Sequence, residues 1–252
     1  MITLNIDAAV ATVTLSNAPV NAMDDAWVTR LDEILDYLEQ HEGVGVLWLR
    51  SDQRVFCAGA DLEFMRARFL TDEGRALMIA FTRRLQEVFA RLERTGLVTI
   101  AEIGGAALGG GLELALACDL RFVADSAKVG LPEVRLGLLA AGGGTQRLTR
   151  LCGPGVARRL ILGAEVISGA VAVELGLAQW MAPRAELESA TRAVVERIAA
   201  LPLAALAESK RCIAVAVDGS SDGYETELAG SARLLAMPET QRLVQSFLEK
   251  GA

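Results

Sequence analysis

The 252-residue chain is 52% hydrophobic and 23% charged, the composition of a globular protein with room for one large core, or a core with a small appendage. Its 25 Lys and Arg stand against 32 Asp and Glu, a net charge of −7, and no basic run exists to neutralise a phosphate backbone, which argues against a nucleic-acid partner. An anionic ligand stays open to it if a few local Lys or Arg residues or backbone amides meet the charge. Cys57, Cys118, Cys152 and Cys212 are widely spaced and form no CxxC pair, so buried thiols are expected rather than disulfides or a zinc site. A reducing compartment fits that usage. With no charged-then-apolar leader and no apolar stretch long enough for a bilayer, the expectation is a soluble cytoplasmic protein with no membrane partner.

Ile2, Leu4 and Ile6 alternate with polar residues, and residues 10–15 alternate again, which predicts two short strands about a turn at Asp7-Ala8-Ala9. Residues 17–23 read as a loop. Asp24 or Asp25 is suited to cap a helix whose apolar positions, Trp27, Leu31, Ile34, Leu35 and Leu38, run to about His41. Residues 44–49 form a continuous apolar run, the pattern of a strand buried on both faces, and 51–60 a loop. Thr71-Asp72 opens a long amphipathic helix with Leu77, Phe81, Leu85, Val88, Phe89 and Leu92 as its apolar stripe. The run TGLVTIAEI predicts a strand, followed by a glycine loop, a short helix over about 111–118 and a strand over 120–124. This alternation argues an α/β fold with crossover connections rather than a β-sandwich. Beyond Gly144 the pattern turns helical: 145–152, 154–162, 170–175 and most of 186–247, with a short strand possible at 179–181.

The stretch from Ile103 to Gly144 carries the candidate chemistry. Gly109-Gly110-Gly111 precede a helix start, where backbone N–H groups lack intrahelical acceptors and glycine lets a ligand approach closely. Taken alone, such a triplet is most simply helix–strand packing. It is neither a GxGxxG dinucleotide fingerprint nor a P-loop. Glu113 falls in the first turn of that helix, where an acid also suits the helix dipole. Glu133 follows Pro132, and by itself reads as a solvated loop acid. Paired beside two glycine-rich segments, the two acids read as a site: a carboxyl in an apolar pocket titrates nearer neutrality, and two close carboxyls split into an acid and a base. A second candidate is the loop from Arg54 to Leu62, small-residue-rich after a buried strand. It is a plain turn ahead of a helix, or a backbone donor facing the glycine loop with Arg54 available to a phosphate. His41, the sole histidine, reads as a surface residue; no Ser-His-Asp or Cys-His arrangement, GxSxG motif or metal-ligand cluster is present.

At these residues the chain resembles the crotonase superfamily, the enoyl-coenzyme A hydratase/isomerase family. PVNAM at 19–23 is similar to its early loop, FCAGADL at 56–62 to its first oxyanion loop, and ALGGGLELALACDLRFVADSAKVGLPEVRLGLLAAGGGTQRL at 107–148 to its central signature. Residues 167–177, 207–210 and 247–250 resemble later family segments. The resemblance implies a right-handed ββα spiral core over 1–190 and a helical region over 191–252, used in assembly of a homotrimer or dimer of trimers and covering the acyl site. It implies an acyl-coenzyme A thioester as substrate, with no cofactor beyond the coenzyme A the substrate carries. The N–H groups of Ala60 and Gly110 would form the oxyanion hole, Glu113 would activate water for Cβ, and Glu133 would deliver a proton to Cα. Both glutamates together favour a hydratase; an isomerase, a pathway-specific relative or a catalytically weak acyl-coenzyme A binder are the alternatives. Arg54, Ala58, Asp61, Leu62, Gly109 and Leu136 would line the substrate, with Phe247 and Lys250 reaching it from a neighbouring subunit. The acyl pocket walls are expected from Phe64, Met65, Phe69, Leu70 and residues 136–139. The chain departs from the family pattern at Gly104, where Asn is usual, at Ala140, where Pro is usual, and at Val20, where a basic residue is common. These departures bear on coenzyme contacts and acyl-pocket shape.

Overall fold

The computed structural model describes residues 1–219 and 221–250, with the side chains of Leu62, Asp218 and Lys250 outside the description. Strands β1 (Ile2–Asp7) and β2 (Val10–Leu15) form the predicted hairpin, Asp7 opposite Val10. Helix α1 (Asp25–Glu39) starts at Asp24, whose carboxylate accepts the Trp27 amide at 2.8 Å, and buries Trp27, Val28, Leu31, Ile34, Leu35 and Leu38. Strand β3 (Val46–Ser51) follows. Helix α2 (Leu62–Phe69) is capped by Asp61 and helix α3 (Asp72–Arg94) by Thr71.

Strand β4 (Val98–Ile103) leads through β5 (Ala107–Leu108) into helix α4 (Gly110–Leu116), then β6 (Leu120–Ala124) and β7 (Lys128–Gly130). A 3-10 turn, Glu133–Leu136, precedes helix α5 (Gly144–Leu162). Strand β8 (Val166–Ser168), helix α6 (Gly169–Glu174), strand β9 (Trp180–Ala182) and helices α7 (Leu187–Ala199), α8 (Leu203–Asp218), α9 (Gly223–Leu235) and α10 (Pro238–Lys250) complete the described chain. Among the described residues no helix is long and apolar enough to cross a membrane.

Six strands make one sheet in the order β1-β2-β3-β4-β6-β9, parallel except for the β1–β2 hairpin, so the chain is α/β as expected. β5, β7 and β8 form a smaller sheet; the isolated bridge Cys57–Ala107 ties the loop after β3 to it, and a second bridge, Met23–Ala60, joins that loop to the one before α1. In β3 the run predicted to be buried on both faces is so. Leu47 and Leu49 join the main core with α1 and α3, while Val46 and Trp48 pack with Ile100 and Val195 of α7 on the other face.

One expectation is corrected. Leu77 is 52% exposed and lies outside the α3 stripe. Met78 takes its place against the core, so the buried face runs 78, 81, 85, 88, 89 and 92 at helical spacing. The helices expected over 145–152 and 154–162 are both present within α5, parted at Gly153, whose φ of 77° and ψ of 164° are not helical, next to Pro154, which supplies no N–H to the preceding turn.

Helix α8 is tied to the sheet by a polar knot. The Lys210 ammonium of α8 donates to the Leu97 carbonyl at 2.8 Å and to Asp119 Oδ2 at 2.7 Å, and that oxygen also accepts the Thr99 amide at 2.7 Å. Lys210→Met is expected to cost about 1–2 kcal/mol, discounted for partial solvent exposure. The check is a lowered urea midpoint at unchanged m-value; an unmoved midpoint would show that α8 is held by packing alone.

Candidate active site

The Asn21 loop sets the first half of the site. Asn21 is fully buried with φ 53°, a left-handed conformation that Asn tolerates better than most residues. Its side-chain amide donates to the Phe56 carbonyl at 2.9 Å and to Ser51 Oγ at 2.8 Å. The main chain then ladders along the facing loop: Ala58 N to Val20 O at 3.0 Å, Met23 N to Gly59 O at 2.9 Å, Asp61 N to Met23 O at 2.9 Å. Between these bonds the Ala60 amide is skipped. Asn21 is a functional-site residue to which sequence reasoning assigned no role, although its motif stood out.

The second half comes from the glycine triplet. Gly109 has φ 54°, and its amide donates to the Gly130 carbonyl at 3.0 Å, which sets the next peptide at the head of α4. A methyl group on Gly110 would lie 3.7 Å from the Ala60 nitrogen, and one on Gly59 only 3.1 Å from the Gly110 nitrogen. The two loops therefore meet backbone to backbone. Among the described residues neither the Ala60 nor the Gly110 amide donates to a protein acceptor.

The acids close the same neighbourhood. Glu113, on α4, is 4% exposed, and its Oε1 accepts the Gly144 amide at 2.8 Å. Burial pushes its pKa up to about 7; the Gly144 hydrogen bond opposes that rise, the charge of Glu133 adds to it, and Arg147 opposes it. Glu133 opens the 3-10 turn, and its Oε1 would sit 3.3 Å from a methyl group on Gly109. Its Oε2 is buried without a hydrogen-bond partner, and burial raises its pKa. The solvated reading of Glu133 alone therefore does not hold. Two carboxyls that feel each other's charge and two amides without acceptors can bind an oxyanion and exchange protons beside it.

The remaining predicted residues divide. Gly109 forms part of the wall, Ala58 is exposed on the loop, and Asp61 is occupied in capping α2, accepting the Phe64 amide at 2.8 Å. Arg54 is exposed, with its carbonyl tight against Gly105. Leu136 is 67% exposed at the end of the 3-10 turn, and Phe247 is 78% exposed on α10, which packs against α9. Leu62 and Lys250 have side chains outside the described ones. Of the expected pocket walls, Phe64 packs tilted against Phe81 with ring centroids 4.9 Å apart, while Phe69, Leu70 and Leu139 are exposed. A separate polar recess of about 290 Å³ lies at the ends of β3 and β4, lined by Arg50, Glu102, Gly104, Arg184 and Glu188; neither Glu113 nor Glu133 reaches it.

A largely parallel sheet flanked by helices in this order is the α/β architecture of the crotonase fold. The sequence profile described as enoyl-CoA hydratase/isomerase matches residues 5–252, so the chain belongs to that family. It is 35% identical to a protein of Bacillus subtilis (strain 168) named "Probable enoyl-CoA hydratase", over 99% of this chain and 96% of the relative. A solved enoyl-CoA hydratase of Geobacillus kaustophilus HTA426 superposes with a TM-score of 0.92 at 31% identity, covering 99% of this chain and 94% of that one. A Thermobifida fusca YX structure, an enoyl-CoA hydratase candidate in complex with CoA, superposes with a TM-score of 0.83 at 33% identity, covering 93% of each chain.

Glu113 has a folded-state pKa of about 7 against 4.5 for a free glutamate, so folding takes up a proton between those values. Its contribution to stability is fully present below about 4.5 and is lost as pH rises through about 7. Glu113→Gln keeps an oxygen for the Gly144 amide and removes the titration. It is expected to be more stable than wild type at alkaline pH, by on the order of 1–3 kcal/mol, with the gap closing in acid. Urea unfolding at several pH values measures this, and a variant less stable than wild type in alkali would contradict the burial.

Proposed function

We propose that the protein is an enoyl-CoA hydratase, a lyase adding water reversibly and syn across the double bond of a trans-2-enoyl-CoA thioester. The observation that carries this is the meeting of Glu113 and Glu133, each pushed toward neutral titration, beside the free Ala60 and Gly110 amides. The thioester oxygen accepts from those two amides, which stabilise the enolate-like state; one such donor is worth roughly 3 kcal/mol of transition-state energy. Ionised Glu113 takes a proton from water as its oxygen bonds to Cβ. The pair shares one proton, and in the microstate that carries it on Glu133 that proton goes to Cα; the proton Glu113 has taken then redistributes within the pair. Coenzyme A belongs to the substrate, so the reaction needs no separate cofactor. The names and the CoA complex among the relatives support the thioester class.

Assembly as a homotrimer or dimer of trimers is part of the same reading. Its support is the row of exposed apolar residues on the C-terminal helices, Ile213, Val217, Leu228, Leu235, Phe247 and Leu248. In such an assembly Phe247 and Lys250 would serve a neighbour's coenzyme A, with Arg54 and Ala58 on the same ligand. The four unpaired cysteines suit a reducing, cytoplasmic setting.

The direct test is loss of conjugated-thioester absorbance with crotonyl-CoA. Glu113→Gln and Glu133→Gln are each expected to lower kcat by about 100-fold or more with KM little changed. Full hydration by Glu133→Gln would exclude its role as acid. Conversion of 3-enoyl to 2-enoyl thioesters without hydration would make the protein an isomerase, and tight binding without turnover a carrier.

A further inference from the structure

Glu113 hangs from a turn that is itself held from outside. Helix α3 presents Gln86 and Glu93, seven residues and so about two turns apart on one face. Gln86 Nε2 donates to the Ala141 carbonyl at 2.6 Å. Glu93 Oε2 accepts from Arg147 Nε at 2.9 Å and lies 2.9 Å from Nη2, an ion pair centred on one carboxylate oxygen. Arg147 Nη1 then donates to the Gly142 carbonyl at 3.0 Å, and the Arg147 amide to the Gly143 carbonyl at 2.9 Å. Three successive carbonyls, 141 to 143, are thus each engaged. The next group along is the Gly144 amide, which points at Glu113 Oε1. The turn fits only without side chains: a methyl group on Gly142 would meet Glu113 Oε2 at 2.6 Å, and one on Gly143, φ 110°, would meet Arg147 Nη1 at 2.2 Å.

We propose that Arg147, gripped by Glu93 and seconded by Gln86, is a positioning residue that orients the carboxylate of Glu113 for proton transfer through the 141–144 turn. This rests on Glu113 acting as the base of the proposed hydration. Arg147 is 9% exposed, a cation spent inside the protein where a packing role alone would be met by an apolar side chain. The charged groups bearing on Glu113 are Glu133 from the 3-10 turn and Arg147 from α5, with Glu93 of α3 behind Arg147 and Arg150 reaching Glu93 at 3.8 Å. The charge of Arg147 favours the ionised carboxylate and that of Glu133 disfavours it. Loss of Arg147 therefore acts twice, by removing a cation and by releasing the turn that supplies the Gly144 hydrogen bond.

The experiment pairs kcat and KM for crotonyl-CoA over pH with a ¹³C titration of the Glu113 carboxyl in glutamate-labelled protein, assigned by its disappearance in Glu113→Gln. Arg147→Gln is expected to move the Glu113 titration upward by about half a pH unit or more and to lower kcat about tenfold or more, with KM within about threefold. Arg147→Lys restores the charge and most of the titration, but not the fork that grips Gly142, so kcat stays depressed. Gln86→Ala, at the rim of the same turn, lowers kcat severalfold. If Arg147→Gln does not fold, the lysine and Gln86 variants decide. Folded variants with wild-type kcat overturn the proposal, as does a fall in kcat with the Glu113 titration unmoved in Arg147→Gln, which marks a structural role only. A wild type that hydrates no enoyl thioester, yet whose Glu113 titration still answers to Arg147, would sink the hydratase reading and leave the positioning role in place.

Discussion

One hydrogen bond anchors the centre of this protein: the Gly144 amide meeting a carboxyl that is almost wholly buried. An ionised carboxylate without such a partner costs several kcal/mol to bury. The Gly144 donor, with the Gly142 amide and the charge of Arg147 behind it, offsets part of that cost, and the remainder is expressed as a shifted titration. The surrounding architecture follows from keeping that bond. Helix α4 must pack on α5 closely enough for their first turns to touch, and positions 142 and 144 cannot carry a Cβ, because the carboxyl oxygens already occupy its place.

The same economy governs the opposite wall. Gly111 lies against the Cys57 carbonyl and Gly105 against the Arg54 carbonyl, each closer than any side chain would permit. The loop after β3 and the turn after β4 thus interlock through main chain alone, and Asn21 secures the outer edge of that contact from inside the protein. Main-chain amides held this way lose no rotamer freedom when a ligand arrives, which is what preorganised electrostatic stabilisation requires.

Much of this was legible in the residues. Period-2 and period-3.6 patterns located the hairpin, α1, most of α3 and the helical C-terminal third, because each buries one regular face. The helix starts at Asp24 or Asp25 and at Thr71-Asp72 could be read because capping chemistry is local, and the structure settles the caps on Asp24 and Thr71. β5, β7 and β8, at two or three residues each, are too short to show a period and exist only because distant segments pair with them. The roles of Asn21, Glu93 and Arg147 were invisible for a related reason: each acts on backbone groups of another segment, and no spacing along the chain encodes that meeting. Glu133 was half legible. Its residue type and its Pro-Glu setting marked it, but its burial depends on the glycine triplet that lies against it.

The 3-10 geometry of residues 133–136 ties together two properties of the site. With three residues per turn, side chains at positions 133 and 136 eclipse one another, so Leu136 stands on the same side of the turn as Glu133. Bulk at 136 and acidity at 133 are consequently not independent traits. A change of bulk at 136 therefore also alters the solvation of the nearby carboxyl, so the shape of this surface and the titration at 133 vary together along a single short turn.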